Sequence, residues 1–184
     1  AFNGASFSDK NVGTNKAITA TYTLSGADAG NYDLIAPTGL TASIAKANVS
    51  VTGATANSKM YDATTAATVS GGTVAAFGSD VVSLAFNGAS FSDKNAGSNK
   101  AVTATYALTG TDAGNYNLIQ PTGLTATITK ASLTVAGISA AGKTYDTTSA
   151  ATLTGTASVA ALGSDVVSVT GSGVGSFADK NAGA

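Results

Sequence analysis

The side chains that could carry chemistry in this 184-residue chain are Asp, Lys, Ser, Thr and Tyr, because it contains no His, Cys, Glu, Arg or Trp. General acid–base catalysis draws most often on His or on tuned carboxylates such as Glu. A Ser–Lys nucleophile pair is conceivable at Ser92 and Lys94, within the stretch FSDKN. A solvated turn, in which Asp93 and Asn95 bind the backbone, is the more ordinary interpretation of this stretch. We therefore expect no enzyme, no catalytic residues and no organic cofactor.

A calcium site is a second chemical possibility. Asp28 and Asp33 flank one loop, and Asp112 precedes Asn117 in a loop of nearly the same sequence. Hard oxygen ligands of this kind hold Ca²⁺ in flexible, high-coordination sites. The spacings DxDxDG and GGxGxD do not occur, so calcium at Asp28, Asp33 and Asp112 is a secondary hypothesis.

An internal Lys–Asn isopeptide bond is a third possibility, because Lys10 and Lys94 each stand beside an Asn. Such a bond requires a buried lysine whose pKa is lowered by desolvation. Both lysines lie in polar turns close to glycine, which predicts that they are exposed.

Internal repetition organises the whole chain. Residues 1–46 and 85–130 are identical at 36 of 46 positions. The remaining half of the period also recurs, as SKMYDATTAATVSG against GKTYDTTSAATLTG and as FGSDVVSL against LGSDVVSV. The period is therefore about 84 residues, a length typical of a small domain rather than of a solenoid coil.

The most natural boundaries between repeats are Lys46–Ala47 and Lys130–Ala131, where one strand pattern ends and another begins. The predicted segments are the C-terminal part of a repeat at 1–46, a complete repeat at 47–130, and the N-terminal part of the next repeat at 131–184. A permuted frame, 1–84 and 85–168, remains open. Because no signal sequence precedes the first partial repeat, we expect the chain to be internal to a longer polypeptide.

Alternating apolar and polar residues predict β-strands, and no window has the 3.6-residue period of an amphipathic helix. In KAVTATYALTG the inward face carries Val102, Ala104, Tyr106 and Leu108. In GLTATITK it carries Leu124, Ala126 and Ile128. About seven short strands per repeat, separated by Gly, Asn, Asp and Pro, predict an all-β fold of tandem Ig-like Greek-key sandwiches.

The stretch TGTDAGNYNL resembles the turn into strand F of immunoglobulin-like domains, where a tyrosine corner closes the loop. In that resemblance the ring of Tyr116 packs at the core edge and its hydroxyl reaches upstream backbone. Asp112 is expected to bind loop N–H groups, and Gly114 permits a positive φ. The same structural role is expected at Asp28, Gly30 and Tyr32.

The wider pattern of YD(A/T)T, GSDVV, F(S/A)DKNAG and DAGNY resembles the YDG family of bacterial repeats, over essentially the whole chain. Ala63 and Thr147 stand where the family's Gly would be, so the backbone dihedral of that turn is expected to differ. The resemblance implies repeats that accompany MBG-type Ig-like repeats in large Gram-negative surface adhesins similar to filamentous haemagglutinin. It thereby implies a secreted or cell-surface location.

These features favour a structural stalk that projects an adhesive region, because the repeats are nearly identical and their sequence shows no set of polar residues that would come together as a site. A glycan- or protein-binding module, using a loop or the outward threonine rows, is the alternative. Self-association into a fibre or biofilm matrix is another, since half repeats leave sheet edges open. The expected partners are neighbouring repeats and possible homotypic chain contacts. Nucleic acid and membrane insertion are not expected, because the net charge is −1 and no apolar run approaches about 20 residues.

Overall fold

The computed structural model describes the backbone of residues 2–171 and 173–183 and is all-β. The helices in this part of the chain are two single 3-10 turns, Ala29–Asn31 and Ala113–Asn115. The strands are β1 (Phe2–Phe7), β2 (Gly13–Tyr22), β3 (Thr41–Ile44), β4 (Ala47–Ser50), β5 (Thr55–Ala56), β6 (Lys59–Met60), β7 (Val69–Ser70), β8 (Ser83–Phe91), β9 (Gly97–Thr109), β10 (Tyr116–Ile119), β11 (Thr125–Thr129), β12 (Ala136–Ala140), β13 (Ala150–Ala151), β14 (Leu153–Ser158) and β15 (Gly175–Ser176).

The strands form several small sheets. Their orders are β1-β2-β3, β10-β4, β6-β11-β9-β8, β12-β14, β13-β15 and β5-β7. The pairs β10–β4 and β11–β6 are parallel, and the pairs β1–β2, β2–β3, β5–β7, β12–β14 and β13–β15 are antiparallel. Each of these sheets draws its strands from within one of the segments 1–46, 47–130 and 131–184.

The described residues divide into two compact units. One comprises 1–57, 67–90 and 101–125, and the other comprises 58–66, 91–100 and 126–184. These units do not coincide with the predicted repeats, because in each unit a loop of one segment packs on a loop of the next. Lys10 on Asp80 in the first unit and Lys94 on Asp165 in the second are the ion pairs of these contacts.

The core of the first unit is built on the alternation predicted for β9. Val51, Ala104 and Tyr106 are buried together, with the Tyr106 ring edge-on to Phe86 at 5.4 Å between centroids. The side-chain amide of Gln120 binds both the N–H and the carbonyl of Tyr106 at 2.8 Å. Burial of one face of β9 therefore confirms the period-two prediction for this stretch.

The core of the second unit centres on β11. Ile128 is its most deeply buried large side chain, and Phe91 and Ala126 are also buried. The ammonium group of Lys59 lies 5.5 Å from the centroid of the Phe91 ring. The charge itself therefore lies over the aromatic ring, the arrangement of a cation–π contact.

The observed strands depart from the repeat pattern of the sequence in two places. The segment 47–130 carries eight strands, β4 to β11, where about seven were expected, and the stretch SLAFNGASF forms a single one of them, β8. The stretch NYNLI forms β10, whereas NYDLI in the first segment forms no strand. The difference arises because β10 pairs with β4, which lies well before it in the chain.

One expectation about turns was wrong. Neither Gly30 nor Gly114 has a positive φ; the positive φ values of these loops belong to Gly26 (122°) and Gly110 (110°). Ala63 (φ 64°) and Thr147 (φ 67°) lie in the left-handed region, which is uncommon for residues other than glycine.

No helix within the described part of the chain has the length and apolar character needed to cross a membrane.

Candidate functional site

The site begins with a short turn of sequence DKN that occurs three times. In each copy the Asp side chain accepts a hydrogen bond from the backbone N–H of the Asn two residues later. The distances are 2.7 Å at Asp9, 2.8 Å at Asp93 and 2.8 Å at Asp179. In the first two copies a lysine further along the chain, Lys16 or Lys100, also binds this Asp at 2.6 Å. The turn is therefore fixed on both sides of its central lysine, which projects from it.

The central lysine of the first copy, Lys10, lies between two carboxylates of the next segment. It forms ion pairs with Asp80 and, at 3.1 Å, with Asp112. Beside this pair the Val12 N–H donates to Oδ1 of Asn115 at 2.9 Å, and Nδ2 of Asn115 donates to Oδ1 of Asn11 at 3.2 Å. The contact thus combines charge with amide hydrogen bonds, which give it a defined register.

Asp80 is held from the other side by Tyr116. The ring of Tyr116 is buried, and its hydroxyl donates to Oδ2 of Asp80 at 2.7 Å while accepting the Phe77 N–H at 3.1 Å. Asp112 binds the same loop, because its Oδ2 accepts the Val81 N–H at 2.9 Å. The loop 77–81 is therefore bound to the loop 110–116 by hydrogen bonds that do not involve Lys10.

The same contact recurs one repeat further along the chain. Lys94, the central lysine of the second DKN turn, forms an ion pair with Asp165, and the hydroxyl of Tyr61 donates to the same carboxylate. Asp165 is the equivalent of Asp80 in the next GSDVV loop. We call these two contacts the first junction and the second junction.

Tyr61 is positioned by a lysine-centred turn. The ammonium of Lys59 binds Asp62 at 2.8 Å and the carbonyls of Thr64 and Ala66 at 2.9 and 2.8 Å. Asp62 in turn accepts the Thr64 N–H at 3.0 Å. An equivalent turn forms in the next repeat, where Lys143 binds Asp146 and the carbonyl of Thr148, at 2.8 and 2.9 Å.

The electrostatics of the junctions favour full ionisation. The ion pair with Lys10, helped by the Tyr116 hydroxyl, lowers the pKa of Asp80. The Val81 N–H and then Lys10 lower the pKa of Asp112. At the second junction Lys94 and Tyr61 lower the pKa of Asp165, and Asp165 raises the pKa of Lys94.

The lysine pKa values and contacts bear on the isopeptide and Ser–Lys hypotheses. A lysine that forms an amide must first lose its proton, and the raised pKa values of Lys10 and Lys94 disfavour that step. The two junctions are therefore suited to ion pairing rather than to isopeptide formation. Ser92 does not pair with Lys94, since its hydroxyl lies 3.5 Å from Asp93 and the lysine binds Asp165.

The two copies of the predicted tyrosine corner have different environments. Tyr116 is 5% exposed, whereas Tyr32 is 71% exposed. The tyrosine-corner assignment itself stays a prediction, since the hydroxyl of Tyr116 binds the distant loop at Phe77 rather than nearby backbone.

The predicted calcium ligands are not brought together as a set. Asp112 binds the lysine ammonium and a backbone N–H, and Asp28 and Asp33 form no side-chain hydrogen bond or ion pair with other described residues. Across residues 2–171 and 173–183, no three His, Cys, Asp or Glu side chains cluster as metal ligands do. Calcium binding at these residues stays an untested prediction.

Sequence reasoning missed the junction itself. It treated DKN as a solvated turn and assigned no partner to GSDVV, although both motifs recur. Their pairing joins residues 70 or 71 positions apart, which no local pattern reveals. The available signal was that the DKN lysine and the single aspartate of GSDVV keep their places in every copy.

The model of one protein family, described as the YDG domain, matches this chain at residues 1–40, 45–124 and 129–184. No curated protein and no protein of solved structure matches it significantly.

Proposed function

The chain belongs to the YDG domain family, and from this premise we propose that it is a tandem-repeat spacer of a bacterial surface adhesin. In this role it is not an enzyme, and it holds an adhesive region of the same polypeptide away from the cell. It acts outside the cell, and its partners are the neighbouring repeats.

The recurrence of one junction carries this proposal. Lys10 on Asp80 and Lys94 on Asp165 are equivalent ion pairs, each joining a DKN turn to the GSDVV loop of the following predicted repeat. A spacer needs such contacts, because repeats joined only by a flexible linker would coil instead of extending.

Short connections between the predicted repeats support the same conclusion. β3 ends at Ile44 and β4 begins at Ala47, so two residues separate the strands on either side of the first predicted boundary. A connection of this length leaves little freedom for independent movement. Ionic and amide contacts at the junction restrict the remaining freedom.

The finer fold in this proposal is an Ig-like Greek-key sandwich for each repeat of about 84 residues, a length within the range of small domains. The alternate burial along β9 and β11 and the buried ring of Tyr116 support it. A sandwich buries its apolar residues within one repeat, which leaves the loops at its ends available for contacts with neighbours.

Small-angle X-ray scattering tests the spacer function. The chain is compared with versions lengthened by one and by two further whole repeats. We expect the maximum dimension to increase by a constant step of about 30 Å per added repeat, the diameter of a domain of this size. A maximum dimension that stays nearly constant as repeats are added would contradict the proposal.

A further inference from the structure

The third copy of the DKN turn borders a cavity of about 480 Å³. Its lining includes Lys143, Tyr145, Phe177, Lys180, Asn181 and Ala182. The ammonium of Lys180 forms no hydrogen bond or ion pair with any residue that the structure describes, and Tyr145 is 55% exposed. A charged donor and a phenol therefore line the same cavity, and both are exposed.

The equivalent residues of the second copy show what such a surface binds. Tyr61, Asn95 and Ala96 border a cavity that is also lined by Leu162 and Asp165 of the next acidic loop. The repeat register makes Tyr145, Asn181 and Ala182 the equivalents of the first three. In the second copy the phenol and the lysine bind one carboxylate, and apolar side chains of the same loop line the cavity beside them.

The third copy forms two of the contacts that fix the turns of the second. The Asp179–Asn181 hydrogen bond is 2.8 Å, as at Asp93–Asn95, and the Lys143–Asp146 ion pair is 2.8 Å, as at Lys59–Asp62. The turns that carry Lys180 and Tyr145 thus form without an acidic loop bound to them. Little ordering is required on binding, which favours affinity.

We propose that Tyr145 and Lys180 form a docking site for the acidic loop, of sequence (F/L)GSDVV, of a YDG repeat that follows in the same chain. This inference rests on the proposed function as a tandem-repeat spacer and specifies its joining chemistry. The loop carboxylate accepts hydrogen bonds from the phenol and the ammonium, and the apolar residue before the glycine contacts Asn181 and Ala182.

A second copy of this chain is a poorer occupant than a following repeat. Both acidic loops of the chain already hold a lysine, Lys10 at Asp80 and Lys94 at Asp165. Binding between two copies would require one of these ion pairs to open. A following repeat supplies an acidic loop that has no earlier lysine partner.

The two observed junctions also predict the complete contact. The first contains the phenol of the following repeat, Tyr116, and the second contains the phenol of the preceding repeat, Tyr61. A junction with both repeats whole therefore places one carboxylate between two phenols and a lysine. In a lengthened chain, Asp165 gains a tyrosine equivalent to Tyr116.

Zero-length carbodiimide cross-linking tests the docking site, because it joins a lysine to a carboxylate only when the two are in contact. The full chain is compared with one lengthened by a copy of residues 99–184. In both, peptide mass spectrometry should detect the Lys10–Asp80 and Lys94–Asp165 products. A product joining Lys180 to the aspartate of the added GSDVV loop should appear only in the lengthened chain, at a similar yield.

The matched control is the lengthened chain with that added aspartate changed to Asn. It should lose the Lys180 product and keep the Lys94–Asp165 product, which also reports that the preceding repeats remain folded. As a second measurement, acylation of Lys180 should be at least threefold slower in the lengthened chain than in the original one.

Mixing chains labelled with ¹⁵N and unlabelled chains separates the possible partners. Lys180 products within one isotopic species support the proposal, and products between species would overturn it in favour of association between chains. Absence of a Lys180 product, with the other two present, would also overturn it. Either result would leave the scattering test of the spacer function unaffected.

Discussion

At the scale of single residues, identical side chains in the two DAGNY loops have opposite surroundings. Tyr116 is buried and its hydroxyl has two partners, whereas Tyr32 is largely exposed. We expect Tyr116→Phe to lower the melting temperature by about 2–4 °C, the usual effect of losing about 1 kcal/mol in a chain of this size. Tyr32→Phe, the matched control, should leave it unchanged in thermal unfolding followed by circular dichroism. An equal change in melting temperature for both variants would contradict the different roles of the two hydroxyl groups.

Tyr106 provides a test in the opposite direction. Its hydroxyl is buried and has no hydrogen-bond partner among the described residues, although its ring lies in the core. A buried polar group without a partner costs about 1–3 kcal/mol. Tyr106→Phe should therefore raise the free energy of unfolding by about 1 kcal/mol in urea titrations. A decrease would show that the hydroxyl has a partner.

At the scale of elements, the YD turn keeps a conformation that suits glycine. Thr147 and Ala63 have φ values of 67° and 64°, and the left-handed region costs a non-glycine residue about 1–2 kcal/mol. Glycine avoids this strain but loses about 0.5–1 kcal/mol in backbone entropy. We expect Ala63→Gly to stabilise the chain by about 0.5 kcal/mol, and Thr147→Gly by more, because a β-branched residue is least suited to positive φ.

Urea unfolding measures both changes, and Asp146→Ala serves as the control for the turn itself. That change removes the ion pair with Lys143 and two hydrogen bonds from Thr148, so it should destabilise the same turn. Destabilisation by Thr147→Gly would mean that the threonine side chain, not the dihedral, determines the stability of the turn.

The elements also show what the sequence predicts and what it does not. Alternation predicted the buried face of β9 correctly, because that signal is local to the strand. It gave no reason for NYDLI to differ from NYNLI, which forms β10, since the difference lies in pairing with β4. The candidate site was predictable to the same extent, in its local turns but not in its long-range contacts. The turns around Lys10 and Lys94 were predicted from local residues, but their aspartate partners lie in another repeat.

At the scale of the whole molecule, the junctions make the joining of repeats depend on a few charges. Only 10% of the residues in the chain are charged, yet each junction contains an ion pair, with the lysine from one repeat and the aspartate from the next. Since these groups lie near the surface, their attraction is screened by salt. The joining contacts should therefore respond to ionic conditions more than the apolar cores do.

The pH dependence of the second junction follows from its pKa shifts. The pKa of Asp165 is lowered by Lys94 and Tyr61, so its contribution is complete above the usual value of 3.8 and is lost as pH falls through the lowered value. The pKa of Lys94 is raised by Asp165, so its contribution is complete below 10.5 and is lost as pH rises through the raised value. The junction should be tightest between about pH 4 and pH 10.5.

The distance between two spin labels measures the pH range over which the junction is closed. Because the chain has no native cysteine, two cysteines for labelling can be introduced at the exposed positions Ser98 and Thr152. We expect a narrow distance distribution at pH 7 that broadens below pH 4. Lys94→Gln should broaden it at pH 7 and remove most of the acid response. Lys46→Gln, at an exposed lysine without an ion pair among the described residues, is the matched control and should change neither. A distribution that remains narrow in Lys94→Gln would mean that packing alone holds the repeats together.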